Sequence, residues 1–144
     1  MTEVVDAFEA ACAAVKVALV DFVMTIDGET LPPRYLLLLE RAPGAGDSDG
    51  DLLRLLAAFD RELRARTLYG FARKSGALLP MAALALERDS FESFQQQRAR
   101  QGGASPQQLK IAHVVSDPSF ASRHFSHYRR LALPDDHLAP TALY

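Results

Sequence analysis

The spacing of apolar residues at the start of the chain predicts one helix followed by two strands. Apolar side chains recur every three or four positions over residues 3–17, which indicates an amphipathic helix with Thr2 placed to cap its start. Apolar runs of strand length follow at 19–26 and 35–40. The run 36–39 is all leucine, as expected for a strand buried on both faces, so we expect this strand to be central.

Two further helices are predicted in the middle of the chain. Residues 43–50 contain three glycines and two aspartates and form the clearest loop. The helix after this loop has an inner face marked by a stripe of apolar residues: Leu52, Leu55, Leu56, Phe59 and Leu63. The other helix begins with Asp89 as its cap and Glu92 placed to complete a capping box, and Gly102-Gly103 ends it.

Four segments are less well defined by the pattern. Residues 69–76 resemble a connection of no predicted shape, and residues 107–115 resemble extended chain or loop. Residues 117–120 have the features of the start of a short last helix. The run 78–87 has the composition of a helix and the length of a strand, so pattern alone does not decide between them.

Together these elements predict an α+β fold, a small mixed β-sheet of three to four strands with amphipathic helices packed on it. We expect a single domain over residues 1–132, because a chain of 144 residues has the usual size of one compact domain. Residues 133–144 carry two prolines and little periodicity, so we expect an irregular tail there.

The composition is that of an ordinary globular protein, with 49% hydrophobic and 24% charged residues. The 16 basic and 18 acidic side chains nearly balance, which argues against nucleic acid or a membrane surface as a partner. No signal segment or bilayer-length apolar run is evident, so we expect a cytoplasmic protein. The single cysteine, Cys12, lies in an apolar helical stretch and is expected to pack as a small hydrophobe.

The common sequence signatures of catalysis do not occur. Gly44-Ala45-Gly46 is followed by acidic residues rather than by a phosphate-binding lysine, so we interpret it as a surface turn. His124 and His127 are spaced to share one helical face, but no third ligand accompanies them, and we predict no metal site. No serine lies in a recognisable nucleophile elbow, which argues against a serine hydrolase.

Lys110 is the basic residue whose position best suggests a function. The chain has three lysines and thirteen arginines. Lys110 follows a glycine-containing loop at a polar-to-apolar junction, from which its compact ammonium group can reach a phosphate or carboxylate oxygen. The arginines close to Asp60 and Glu62 are better explained by solvated ion pairs.

Four short stretches within residues 2–115 share an order and spacing with a known family. They are Thr2-Glu3-Val4-Val5 before an Ala-rich helix, Pro33-Arg34-Tyr35 before an apolar strand that ends in Glu40, residues 89–94 after an apolar run, and Gly102-Gly103-Ala104 followed by Gln108-Leu109-Lys110. In this arrangement the chain resembles the C-terminal domain of the Gretchen Hagen acyl-acid amido synthetases. These are the auxin-conjugating branch of the adenylate-forming enzymes and its bacterial relatives.

The resemblance implies roles for particular residues. In that family a strand precedes the helix at 89–94, so we expect a strand in the run 78–87. By resemblance Lys110 is the catalytic lysine that the small domain contributes, and it stabilises charge on phosphate or carboxylate oxygens. Gln108 matches a neighbouring glutamine and is assigned a supporting role in nucleotide binding. The match weakens beyond Lys110, because His113 stands where the family commonly has an arginine.

The resemblance also implies a reaction and a partner. The family activates a carboxylic acid with ATP to an acyl adenylate and passes the acyl group to the amine of an amino acid, which forms an amide. The small domain swings over a large N-terminal adenylation domain that holds most of the site. We therefore expect this chain to be inactive without that domain, in cis or in trans. We expect no stably bound cofactor, with ATP and Mg bound only in the complete enzyme.

Two other functions remain open from the sequence. A non-catalytic protein-interaction module derived from the same domain would expose an apolar patch, which we would expect around Phe22, Tyr35 or residues 91–94. A ligand-binding α+β domain would need an internal pocket lined by the leucine-rich strands. Neither the substrates nor the oligomeric state can be predicted from the sequence.

Overall fold

The computed structural model describes residues 2–27, 31–42, 49–102 and 113–133 of the chain. These residues form five helices and a sheet of four strands, in agreement with the predicted α+β class. In chain order the elements are α1 (Thr2–Val15), β1 (Leu19–Asp27), β2 (Arg34–Arg41), α2 (Asp49–Arg66), α3 (Tyr69–Ser75), β3 (Ala82–Leu86), α4 (Ser90–Gly102), α5 (Phe120–His124) and β4 (Tyr128–Ala132).

The four strands form one mixed sheet in the order β1-β2-β3-β4. β2 is antiparallel to β1 and parallel to β3, and β3 is antiparallel to β4. β2 therefore has a partner on each side, and its leucines 36–39 are all buried. The prediction that this strand is central is confirmed.

The run 78–87, which pattern alone left open, contains the strand β3. All five of its residues are buried, and it pairs with β2 on one side and β4 on the other. Backbone pairing and burial on both faces outweigh the helix preference of its alanines and leucines. The strand that the family resemblance implied is confirmed.

α1 and α2 cover one face of the sheet. Side chains alternate along a strand, so this face receives every second residue of β1, β2 and β3, including Phe22, Leu37 and Ala83. Phe8 of α1 stacks on Phe22 with 3.8 Å between the ring centroids. The predicted stripe of α2 is buried against the same face, which confirms it.

α4 and α5 cover the opposite face. Phe91 and Phe94 of α4 and Phe120 of α5 pack with the alternate strand residues, among them Leu38 and Leu84. α5 begins directly after 117–119, as the sequence predicts. Because helices cover both faces, β2 and β3 are continuous apolar runs instead of alternating ones.

Residues 69–76 form the short helix α3 and its C-terminal cap, where the sequence predicts no defined shape. Gly76 has φ 83°, the left-handed conformation that ends many helices. A Cβ on Gly70 would lie 2.8 Å from the Arg64 carbonyl oxygen, so a glycine is needed for α3 to start this close to the end of α2. Local glycine geometry, which periodicity does not report, therefore determines this helix.

β4 is the strand that the hydrophobic pattern does not predict. It pairs with β3 at five positions and lies at the edge of the sheet. Four of its five side chains are exposed, so it shows neither an apolar run nor a clear alternation. Edge strands are often polar because unprotected apolar edges aggregate.

Three structural predictions fall wholly or mostly outside the described residues: the loop at 43–50, of which 43–48 are not described; the extended or loop segment at 107–115, of which only 113–115 are described; and the tail, apart from Leu133. Within the described ranges, none of the helices combines the length and apolar character needed to cross a lipid bilayer.

Candidate functional site

Lys110 and Gln108, the two site residues implied by the resemblance, lie outside the described residues. The next described residue is His113, three positions after Lys110. From there the chain is hydrogen-bonded to the edge of β1. Met24 N–H donates to the His113 carbonyl oxygen at 2.8 Å, and Val115 N–H donates to the Met24 carbonyl oxygen at 2.9 Å. The chain that follows Lys110 is therefore anchored to the sheet.

The His113 side chain strengthens this anchor. Its ring stacks on Phe22 with 4.4 Å between centroids and 10° between planes. Nδ1 lies 3.0 Å from the Phe22 carbonyl oxygen and 3.5 Å from Asp21 Oδ1. A carbonyl oxygen can only accept a hydrogen bond, so Nδ1 is the protonated nitrogen. His113 is thus part of the sheet edge that supports the chain following Lys110.

The described residues also form an open, polar cavity of about 540 Å³. It lies beyond the carboxyl ends of the parallel strands β2 and β3 and beside the start of β4. Its polar side chains come from all three strand ends: Arg41, Glu87, Arg88, Ser126, His127 and Arg129. Sequence reasoning did not identify this site.

Positive charge predominates in the cavity lining. Three guanidinium groups face one carboxylate, that of Glu87. Arg129 donates to Asp49 Oδ1 at 2.5 Å, and both side chains are about half exposed. Arg88 is exposed and forms no ion pair with a described residue. The cavity therefore offers guanidinium donors to an anionic ligand.

Glu40 lies beside this cavity, where it caps α4. Its side chain is buried, Oε2 accepts the Asp89 N–H at 2.8 Å, and Oε1 accepts the Phe91 N–H at 2.8 Å. Asp89 does precede the helix as predicted, but the predicted box with Glu92 is wrong, because Glu40 takes the Asp89 amide. Glu92 is instead 3.4 Å from Gln96 Nε2. Two of the amides at the start of α4, those of Asp89 and Phe91, are thus already bound by a buried carboxylate.

A repeated tripeptide is a signal from which this region could have been found. Leu39-Glu40-Arg41 forms the end of β2, and Leu86, the last residue of β3, begins the second copy, Leu86-Glu87-Arg88. β2 and β3 are parallel neighbours, with Leu39 opposite Ala85. Their carboxyl ends therefore meet at one edge of the sheet and bring the two Glu-Arg pairs together.

The two histidines at 124 and 127 do not share a helical face, so that prediction is wrong. α5 ends at His124, and His127 lies in the connection to β4. The His124 ring contacts Phe94 and Phe120, at 4.9 and 5.0 Å between centroids. Burial, followed by the charges of Arg123 and Arg98, lowers the pKa of His124 below its usual 6.5. In the described parts of the chain, no three His, Cys, Asp or Glu residues lie close enough to hold a metal.

Cys12 packs against the core that α1 and α2 form, as expected for a small hydrophobe. Burial, with a smaller effect from the charge of Glu9, raises the pKa of its thiol from 9.0 to about 11. The thiol is therefore protonated at neutral pH and is a poor nucleophile.

The apolar patch expected for an interaction module does not lie at the predicted residues. Phe22, Phe91 and Phe94 are buried in the two cores, and Tyr35 is partly buried against one of them. Among the described residues, the most exposed large apolar side chains lie instead before β2 and around α3: Leu31, Leu68 and Phe71. The pocket expected for a ligand-binding domain is also different, because the leucines of β2 are closely packed and the cavity is lined by charged groups.

One family model and two solved structures are similar to this chain. The model of a family described as "GH3 family C-terminal domain" matches residues 2–119. A solved GH3.15 acyl acid amido synthetase superposes with a TM-score of 0.78 at 15% identity, over 92% of this chain and 25% of the solved chain. A structure titled AtGH3.15 acyl acid amido synthetase in complex with 2,4-DB gives 0.70 at 14% identity, with the same coverage. Comparison with curated protein sequences finds no match. At these identities the superpositions show a shared fold, and this chain spans a quarter of the length of the solved proteins.

Proposed function

This chain belongs to the GH3 family and corresponds to its C-terminal domain, and from that premise we propose that it is the mobile small domain of an ATP-dependent acyl acid amido synthetase. The observation that carries the proposal is the family match over residues 2–119. The partner is a large adenylation domain, in cis or in trans, since this chain matches only 25% of the length of the solved protein. A cytoplasmic location, where ATP is abundant, is part of the proposal.

The proposed reaction has two steps. A carboxylate oxygen of the acid attacks the α-phosphorus of ATP, which forms the acyl adenylate and releases pyrophosphate. The amine nitrogen of an amino acid then attacks the acyl carbon, AMP leaves with the bonding electrons, and the nitrogen loses a proton to give the amide. Both steps move negative charge on phosphate and carboxylate oxygens, which a positioned cation stabilises.

We assign Lys110 that stabilising role and Gln108 a supporting role in nucleotide binding. The assignment comes from the family resemblance. It is supported by the anchor at His113, where the chain after Lys110 is hydrogen-bonded to Met24 in β1. Because residues 113–115 are held to β1, this part of the chain moves as a unit with the domain when the domain closes.

ATP–pyrophosphate exchange over a panel of carboxylic acids tests the proposal. The chain alone, the large domain of a relative alone and their mixture are compared. We expect the mixture to show exchange that neither part shows, and Lys110→Ala to reduce it by about 10²–10³-fold. Lys16→Ala is the matched control, because Lys16 is an exposed lysine beyond the end of α1. Exchange that is insensitive to this chain, or unchanged by Lys110→Ala, contradicts the proposal.

A non-catalytic interaction module is the alternative, and the exposed residues around α3 favour it. Leu68 is 84% and Phe71 74% exposed, and they lie three positions apart at the start of α3. If the chain has this function, the mixture binds, as seen by gel filtration, but Lys110→Ala changes neither binding nor exchange. The double variant Leu68→Ser, Phe71→Ser would then abolish complex formation.

A further inference from the structure

The path of the chain opens a crevice between the carboxyl ends of β2 and β3. After β2 the chain passes to α2, which packs on one face of the sheet, and after β3 it passes to α4, which packs on the other. The two connections therefore diverge from neighbouring parallel strands. In open α/β sheets, ligands bind in the crevice at such a point. The cavity of about 540 Å³ lies there.

The sheet fixes the backbone positions of the arginines at this crevice. Arg41 ends β2, and Arg88 follows β3 by two positions. Arg129 is paired with Ala85 across the β3–β4 ladder. Three guanidiniums are thus brought to one cavity from three separate strands, and a planar guanidinium can bind two oxygens of one phosphate group.

The carboxylates nearby reduce this positive charge without cancelling it. Glu87 contributes one negative charge to the lining, and Asp49 pairs with Arg129 at 2.5 Å. Glu40 is directed away to the amides of α4. Arg88 stays exposed with no described carboxylate as its partner. An anion with several charges can satisfy Arg88 and compete with the exposed Asp49 for Arg129.

We propose that this crevice is a binding site for a small phosphate-bearing polyanion of the pyrophosphate class, either free pyrophosphate or the phosphate chain of a nucleotide. Arg88 and Arg129 hold the phosphoryl groups, and Arg41 and His127 line the same cavity. The site goes beyond the proposed amide synthesis and does not depend on it, because all its residues belong to this chain.

Isothermal titration calorimetry of the chain alone with inorganic pyrophosphate, at low salt and without Mg, tests the site. We expect saturable binding whose Kd rises about tenfold or more in Arg88→Gln and in Arg129→Gln. Two controls are matched by environment. Arg54→Gln, like Arg129→Gln, removes an exposed arginine paired with an aspartate. Arg61→Gln, like Arg88→Gln, removes an exposed arginine that has no ion pair with a described residue. Both controls should bind as the unaltered chain does.

The arginine variants could bind more weakly only because they are misfolded, so a variant that is expected to bind more tightly is also needed. Asp49→Asn removes the carboxylate that competes for Arg129 and keeps a side chain able to cap α2, so pyrophosphate should bind more tightly. Competition among pyrophosphate, ATP, AMP and citrate distinguishes free pyrophosphate from a nucleotide as the ligand. Tighter binding of pyrophosphate than of ATP identifies the free anion, and the reverse identifies a nucleotide. The proposal is overturned by no saturable heat, by equal effects of Arg54→Gln and Arg129→Gln, or by citrate binding as tightly as pyrophosphate.

Discussion

Glu40 and Phe91 are 51 positions apart in the sequence, yet Glu40 Oε1 accepts the backbone N–H of Phe91 at 2.8 Å. The same carboxylate accepts the Asp89 N–H through its other oxygen. One buried side chain at the end of β2 therefore caps α4, which packs on the face opposite to α2. This contact couples the central strand to the position of the helix that follows β3.

The first prediction concerns this cap. Glu40→Ala should lower the free energy of unfolding by about 2–4 kcal/mol, because two N–H groups lose their acceptor. Glu40→Gln keeps one acceptor oxygen and should cost less, about 1–2 kcal/mol. Urea unfolding followed by circular dichroism measures both. Glu87→Ala is the control, because Glu87 is a nearby glutamate with an exposed side chain, and its replacement should change stability by less than about 0.5 kcal/mol. Equal losses in Glu40→Ala and Glu87→Ala would refute the cap.

The second prediction concerns the buried ion pair between α2 and α3. Asp60 accepts hydrogen bonds from Arg73 and from the Tyr69 hydroxyl, and the Asp60 and Arg73 side chains are 3% and 5% exposed. Asp60→Asn removes a buried charge from this pair and should cost about 3 kcal/mol of unfolding free energy. The control is Glu62→Gln, which breaks the exposed pair with Arg66 and should cost about 0.5 kcal/mol at most. Urea midpoints that shift equally in both variants would contradict this reading.

Burial explains which elements could be predicted from the sequence. β1, β2 and the stripe of α2 are defined by which side chains leave water, and that information is in the order of apolar residues. β3 could not be predicted from this pattern alone, because its alanines and leucines suit a helix equally well. The family resemblance predicted the strand. β4 has four exposed side chains among its five residues, so its conformation comes from pairing with β3, which no local pattern reports.

The candidate sites were harder to predict because their residues come together only in the folded sheet. The arginines of the cavity lie at positions 41, 88 and 129, and the repeated Leu-Glu-Arg tripeptide links only the first two of them. The capping box failed for the same reason: Asp89 and Glu92 have the right spacing, but the carboxylate of Glu40, brought by the sheet, takes the Asp89 amide. A long-range hydrogen bond therefore forms in place of the capping box that the local spacing predicts. Lys110 and Gln108 lie outside the described residues, and their roles stay predictions.

The third prediction concerns pH. Burial, and then Arg123 and Arg98, lower the pKa of His124 from 6.5, while Asp117 raises it by less. The unfolded chain therefore binds a proton at His124 more readily than the folded chain, and stability should fall as the pH drops below about 6.5. When the pH is lowered from 7.5 to below 6.5, His124→Gln should therefore lose less stability than the unaltered chain, as measured by urea midpoints. The prediction is wrong if His124→Gln steepens the loss or leaves it unchanged.

The fourth prediction concerns Cys12 and reports on the packing of α1. A thiol with a pKa of about 11 instead of 9.0 has roughly a hundredfold less thiolate at pH 8, so it should react with a disulfide reagent about a hundredfold more slowly than an exposed cysteine. Denaturation should restore the ordinary rate. Glu9→Gln removes the smaller cause of the shift and should speed the reaction, whereas Glu62→Gln, on α2 and paired with Arg66, should not. Because desolvation is the larger cause, Glu9→Gln should recover only part of the difference. A native rate equal to the denatured rate would mean that α1 leaves Cys12 open to solvent.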